Sequence, residues 1–175
     1  MKKINNVNLD DVMGFLELAK KDKSNAVKIK TIEGEWVLQD GRAQFLSELK
    51  HEKGITKIEA DAPSFMGGSG IRPDPVQYCM FGLIACFAQT IALIASEKEI
   101  KLKKLKITAE NQLNLLKAMN LGNEPPTKMI KLNVLIDGDN KKALEEIINE
   151  AKQRCPGIYC LTNPIPLQIQ VQTPK

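Results

Sequence analysis

Hydrophobic positions in this chain follow three patterns. Val12, Phe15, Leu16 and Ala19 recur at helical spacing, which predicts an amphipathic helix over residues 8–21 capped by Asn8. Alternation then takes over. Residues 26–38 (Val27, Ile29 and Thr31 on one face), 42–50 (Ala43, Phe45, Ser47, Leu49) and 55–61 read as strands. The turns Gln39-Asp40-Gly41 and Glu52-Lys53-Gly54 separate them, so the expectation is a three-stranded meander. The third pattern is continuous. Residues 76–96 carry no charge, and Asp74-Pro75 ahead of them is a helix-start signature: a side-chain acceptor, then a residue that needs no N–H.

A helix apolar on every face is either the centre of a soluble fold or a membrane span. Gln77, Gln89, Gly82, Thr90 and several scattered alanines lower its hydrophobicity, and amphipathic elements follow it, so it reads as a buried central helix. Leu105, Ile107 and Ala109 mark a strand over 101–109, while residues 111–121 fit either its continuation or a short helix. After the break Gly122-Asn123-Glu124-Pro125-Pro126 comes a strand over 129–137, with Ile130, Leu132, Val134 and Ile136 on one face. Ala143, Leu144, Ile147, Ile148 and Ala151 form the stripe of a helix over 139–154, capped by Asp139 or Asp137 and stopped at Cys155-Pro156-Gly157. Ile165, Leu167, Ile169 and Val171 predict a last strand. The order is α-β-β-β-α-β-β-α-β, an α+β arrangement. The glycine-rich stretch over 62–73 lacks the Lys-Ser/Thr ending of a P-loop and does not follow GxGxxG, so it reads as a tight crossover into the central helix.

Composition adds little to this picture. The chain has 175 residues, 43% hydrophobic and 26% charged, with a net charge of +4. That is ordinary globular composition, and without an aromatic-rich basic patch it argues against nucleic acid as a partner. Met1-Lys2-Lys3-Ile4-Asn5-Asn6 has no apolar core of a secretory signal, so a cytoplasmic location is expected, with no membrane partner. There, four cysteines suit redox chemistry or metal better than structural disulfides.

Cys86 lies mid-helix and Cys155 at the end of the next long helix, and the two helices are expected to pack on one sheet. A buried mid-helix thiol has a raised pKa and needs a cation to become reactive. Only Arg42, Arg72 and Arg154 are available as arginines. Cys155, at a helix C-terminus, suits a responding thiol better than an attacking one. The Cys79/Cys86 and Cys155/Cys160 spacings are not CxxC, so neither metal nor other cofactor is expected. A local Cys155–Cys160 disulfide is an alternative resolving route. Trp36 and Phe45 are expected in the core, and His51 in solvent.

Gly67-Gly68-Ser69-Gly70, Asp74-Pro75, Ala85-Cys86-Phe87 and Cys155-Pro156, in this order, resemble the OsmC and organic hydroperoxide resistance (Ohr) proteins. The resemblance runs from about Val27 to Val171. It implies an OsmC-like fold over 25–175 behind a helical arm over 1–24, and an intertwined homodimer. It also implies a thiol-dependent peroxidase of oxidative stress defence that reduces organic hydroperoxides and is reset by a dithiol or thiol-protein reductant. In that pattern Cys86 is the peroxidatic residue, passing through a sulfenic acid, and Cys155 the resolving one, giving a Cys86–Cys155 disulfide. Arg42 in Gly41-Arg42-Ala43 is the nearest match to the activating arginine. Where the family carries a glutamate that orients this arginine, the chain has Val76, which favours the alternative of a redox-sensing or small-apolar-ligand-binding dimer. Cys79 and Cys160 have no place in the pattern.

Overall fold

The computed structural model describes residues 2–173. The chain forms two compact units, one of residue 2 and residues 8–82, the other of residues 3–7 and 83–173. A short hairpin of β1 (Lys3–Ile4) and β2 (Val7–Asn8) turns at Asn5 and Asn6, both at positive φ, and precedes α1 (Leu9–Lys21). Asn8 caps α1, accepting from the Asp10 N–H, as expected.

In the first unit, β3 (Gly34–Trp36), β4 (Phe45–His51) and β5 (Gly54–Ala60) pair in that order, all antiparallel, which confirms the meander. The first strand is much shorter than its alternation suggests. Residues 27–33 have no ladder partner within their unit, and Val27, Ile29 and Ile32 stand in solvent. Trp36 and Phe45 are exposed rather than core. The glycine-rich crossover closes on the chain just behind it, not on the helix: a Cβ on Gly68 would strike the Ala62 carbonyl. It wraps a buried carboxylate, Asp61, whose Oδ2 accepts from the backbone of Ser69 (3.1 Å) and Ile71 (3.0 Å).

The central helix, α2 (Pro75–Glu97), starts where its cap requires. Asp74 Oδ1 accepts from Val76 (2.7 Å) and Gln77 (3.0 Å), and the Gln77 side chain returns a bond to the Asp74 N–H, a reciprocal capping box. α2 is long and apolar enough to cross a membrane, with 33% of its apolar stretch buried; Leu83, Phe87, Thr90, Ile91, Ile94 and Ala95 form one buried stripe along it.

In the second unit β6 (Leu102–Leu113) and β7 (Thr127–Gly138) form a long antiparallel ribbon. Residues 111–113 continue the strand, and 114–121 are turns. Leu105, Ile107, Leu132, Val134 and Ile136 share one face and pack on the core built by α2 and α3 (Lys141–Arg154). Leu144, Ile147 and Ala151 are the α3 contribution to that core. Asn140, not Asp137 or Asp139, caps α3. At the other end Arg154 chelates Glu97 with both nitrogens (2.7 and 3.0 Å) and also bonds Glu150 (2.8 Å). Asn5 plugs the second unit near the α2 terminus, bonding Ser96, the Ile100 carbonyl and the Leu102 N–H.

Two features differ from expectation at the C-terminal side. Pro156 does not simply stop α3; it opens a further helix, α4 (Pro156–Thr162), because proline suits a first helical position. The expected last strand does not form. Residues 163–173 have no regular structure, and Leu167, Ile169 and Val171 are exposed.

Candidate active site

Cys86 sits on α2 one residue before the buried Phe87, so its side chain lies at the margin of the buried stripe, half-exposed. Cys155 follows the last residue of α3 and immediately precedes Pro156 of α4. It is fully buried among Ile91, Ile147 and Ala151 in the core cluster. Its thiol does no capping, which leaves it free to donate to Cys86 Sγ at 3.6 Å. Two separately encoded cysteines, 69 residues apart, thus meet at van der Waals contact as free thiols.

The third member is Gly157. A side chain there would begin 3.4 Å from Cys86 Cβ and from Leu83 Cδ1, and 3.6 Å from Cys86 Sγ. Glycine therefore leaves room beside the sulfur. Burial is the main influence on the Cys86 thiol and pushes its pKa up; the Gly157 backbone N–H opposes this by supporting the thiolate. Cys155 and Cys160, which would each carry a negative charge on ionising, push it up further. Among the described residues of its own unit no cation acts on it, since the Arg154 guanidinium is spent on Glu97 and Glu150.

The three arginines are thus sorted. Arg72 pairs with Glu59 in the first unit. Arg42, also in the first unit, is exposed and has no ion pair among the described residues. It lines an open cleft of about 740 Å³ on the meander with Glu33, Glu35, Ser47 and Lys57. The fold therefore brings Cys86 and Cys155 together within one unit and puts Arg42 in the other. Val76 is half-buried in the first turn of α2. No group of His, Cys, Asp and Glu among the described residues could hold a metal.

Gly157 was not singled out by sequence as part of the site, and Cys160 only as an alternative disulfide partner of Cys155. The signal for Gly157 was present: proline followed by glycine after a helix stop is a new helix start with a position that tolerates close approach.

Comparison with known proteins gives a consistent result. A family model of the OsmC-like proteins matches residues 67–170, more than half of the chain, from the glycine-rich crossover through both cysteines. Among solved structures, an organic hydroperoxide resistance protein OsmC from Legionella pneumophila is 23% identical, with TM-score 0.56 over 78% of this chain and 92% of that one. An OsmC-like protein from Mycoplasma pneumoniae is 19% identical (TM-score 0.53; 77% and 89% of the two chains). An organic hydroperoxide resistance protein from Elizabethkingia anophelis is 20% identical (TM-score 0.55; 77% and 90%). A search of curated proteins finds no match. The matched stretch holds the central helix with Cys86 and the Cys155-Pro156 pair behind the following helix, and the chain belongs to the OsmC-like protein family.

Proposed function

We propose that this chain is a thiol peroxidase that reduces organic hydroperoxides, with Cys86 attacking and Cys155 resolving. The observation that carries the proposal is the 3.6 Å contact between a half-exposed and a fully buried thiol. The family is associated with hydroperoxide resistance and redox roles, which supports the same reading. The Cys86 thiolate attacks one peroxide oxygen; the S–O bond forms, the O–O bond breaks, and the alcohol leaves with a proton. The sulfur is then a sulfenic acid. The Cys155 thiol attacks it, forming the disulfide and releasing water. An external dithiol or thiol protein returns both cysteines to thiols. Burial orders the roles. Substrate reaches the half-exposed Cys86, whereas Cys155 meets only Cys86 and the core.

The thiolate needs support beyond one backbone N–H, and Arg42 is the residue we assign to supply it. That assignment comes with a cytoplasmic homodimer, in keeping with a family whose members are typically dimers. The apolar residues that each unit leaves in solvent, Ile29 and Leu38 in one and Leu167 and Ile169 in the other, are suited to such an interface.

A second reading, a redox-sensing or ligand-binding dimer without turnover, is favoured by the raised pKa of Cys86 and by Val76. Steady-state consumption of cumene hydroperoxide with a dithiol reductant separates the two. Turnover that Cys86→Ser abolishes supports the peroxidase. Stoichiometric oxidation without turnover, or equal loss of the first equivalent in Cys86→Ser and Cys155→Ser, would leave the sensing reading.

A further inference from the structure

Three thiols, not two, gather in the second unit. Cys160 stands on α4 three residues after Gly157, the residue against which the Cys86 side chain rests. Positions three apart share a helix face with Cβ atoms about 5–6 Å apart, so Cys160 lies one turn along the face that meets Cys86. The electrostatic influence of Cys160 on Cys86 agrees with this placement. Cys155 is a poor partner for Cys160: five residues along a helix is about 7.5 Å of rise and a rotation to a different face, beyond the reach of a disulfide. α4 itself is seven residues long and buries none of them fully, so a small shift or fraying of the helix brings Cys160 to Cys86 at low cost.

Exposure gives this arrangement a purpose. Cys155 is fully buried, so an external dithiol has no access to its sulfur, whereas Cys160 is open to solvent. We propose that Cys160 is a second exchange partner of Cys86, taking over the disulfide from Cys155 and presenting it to the reductant. The inference rests on the peroxidase reading for its role in turnover, but not for the thiol exchange itself. The Cys160 thiolate attacks Cys86 Sγ; the Cys86–Cys160 bond forms as the Cys86–Cys155 bond breaks, and the Cys155 sulfur leaves and takes up a proton. No net oxidation occurs in this step. An external dithiol then attacks the exposed Cys160 sulfur, and the Cys86 thiolate is released; closure of that mixed disulfide on the second thiol of the reductant frees Cys160.

The test uses the full chain carrying Cys155→Ser, with Cys155→Ala as a second variant that keeps the buried position apolar. Each is treated separately with one equivalent of cumene hydroperoxide and with diamide, which oxidises thiols without peroxide chemistry, then quenched in acid and mapped without reductant. An intrachain Cys86–Cys160 bond is expected as the main product of both oxidants, with Cys86 sulfenic acid persisting to dimedone only when Cys160→Ser is added. The bond under diamide but not under peroxide would support the exchange pair and remove the peroxidase reading. Absence of the bond under both oxidants, or bonds to Cys79 or between chains in its place, would overturn the proposal.

Discussion

Oxidation of the native protein should make it more stable, by an amount the cysteine separation sets. A Cys86–Cys155 bond closes a loop of 69 residues. In the chain-entropy treatment such a loop removes about 15 cal/mol/K from the unfolded ensemble, or about 4.4 kcal/mol at 25 °C. Against this stands the movement needed to bring the sulfurs from 3.6 Å to about 2.05 Å. Because Cys155 is locked in the core and Cys86 is at its margin, α2 and the Cys155-Pro156 junction absorb that movement, and a net gain of about 2–4 kcal/mol is expected. For a chain of this size about 2–4 °C per kcal/mol follows, hence a rise in Tm of about 10 °C. The assay compares guanidinium unfolding of reduced protein with protein treated with one equivalent of cumene hydroperoxide, with Cys86→Ser as control and the bond mapped in each sample. A mapped Cys86–Cys155 bond with no change in midpoint would mean that the fold does not hold the two sulfurs ready to bond, and the geometric argument would fail.

Five further outcomes follow. In Arg42→Ala, which leaves burial as the main influence on Cys86, alkylation by iodoacetamide should climb at a higher pH than that of a free thiol near about 8.5. Above that ordinary pKa the native state holds a proton the unfolded chain has lost, so this group's contribution to stability should decline as pH rises through the native pKa; a midpoint that increases over this range would contradict the shift. Ile147→Ala, at a fully buried core position, should cost about 2–5 kcal/mol in denaturant unfolding, whereas Asp74→Ala should cost about 0.5–2 through the lost α2 cap. Arg42→Ala should slow Cys86 alkylation at neutral pH while Arg72→Ala does not, and the reverse result would move the assignment to Arg72. Sedimentation at micromolar concentration should find a dimer, and a stable monomer would count against the proposed assembly.

Elements whose cause is local were readable in the sequence. Asp74-Pro75 defines the start of α2 because a side-chain acceptor and a missing N–H act within one turn. The ribbon β6–β7 was readable because both strands are half-buried and long, so their alternation survives on one face. The same alternation misled at residues 27–33 and 165–171. A strand needs a ladder partner as well as a pattern, and neither stretch finds one within its own unit. Helix α4 was missed because Pro156 reads equally as the end of one helix and the first residue of another. The Asn140 cap was one choice among adjacent acceptors. The Cys86–Cys155 pairing came from a resemblance, since nothing in the spacing of two cysteines 69 residues apart encodes their contact. The place of Gly157 and the buried Asp61 carboxylate are tertiary facts, set by which backbone passes close to which side chain.

The site's electrostatics explain why the pair is quiet at rest. Burial first, and then the neighbouring Cys155 and Cys160, disfavour ionisation of Cys86. At neutral pH the proton therefore stays on Cys86, and the Gly157 N–H alone does not remove it. A guanidinium within about 4–6 Å would lower the Cys86 pKa and favour the thiolate. The requirement is specific to Cys86. In the proposed mechanism Cys155 acts after the sulfenic acid has formed and attacks a neighbouring electrophilic sulfur in van der Waals contact, so proximity does for it what charge must do for Cys86. Activation and resolution are thereby separable. In the proposed mechanism the two-helix core fixes resolution, while activation rests on Arg42, so loss of Arg42 would slow the first step and not the second.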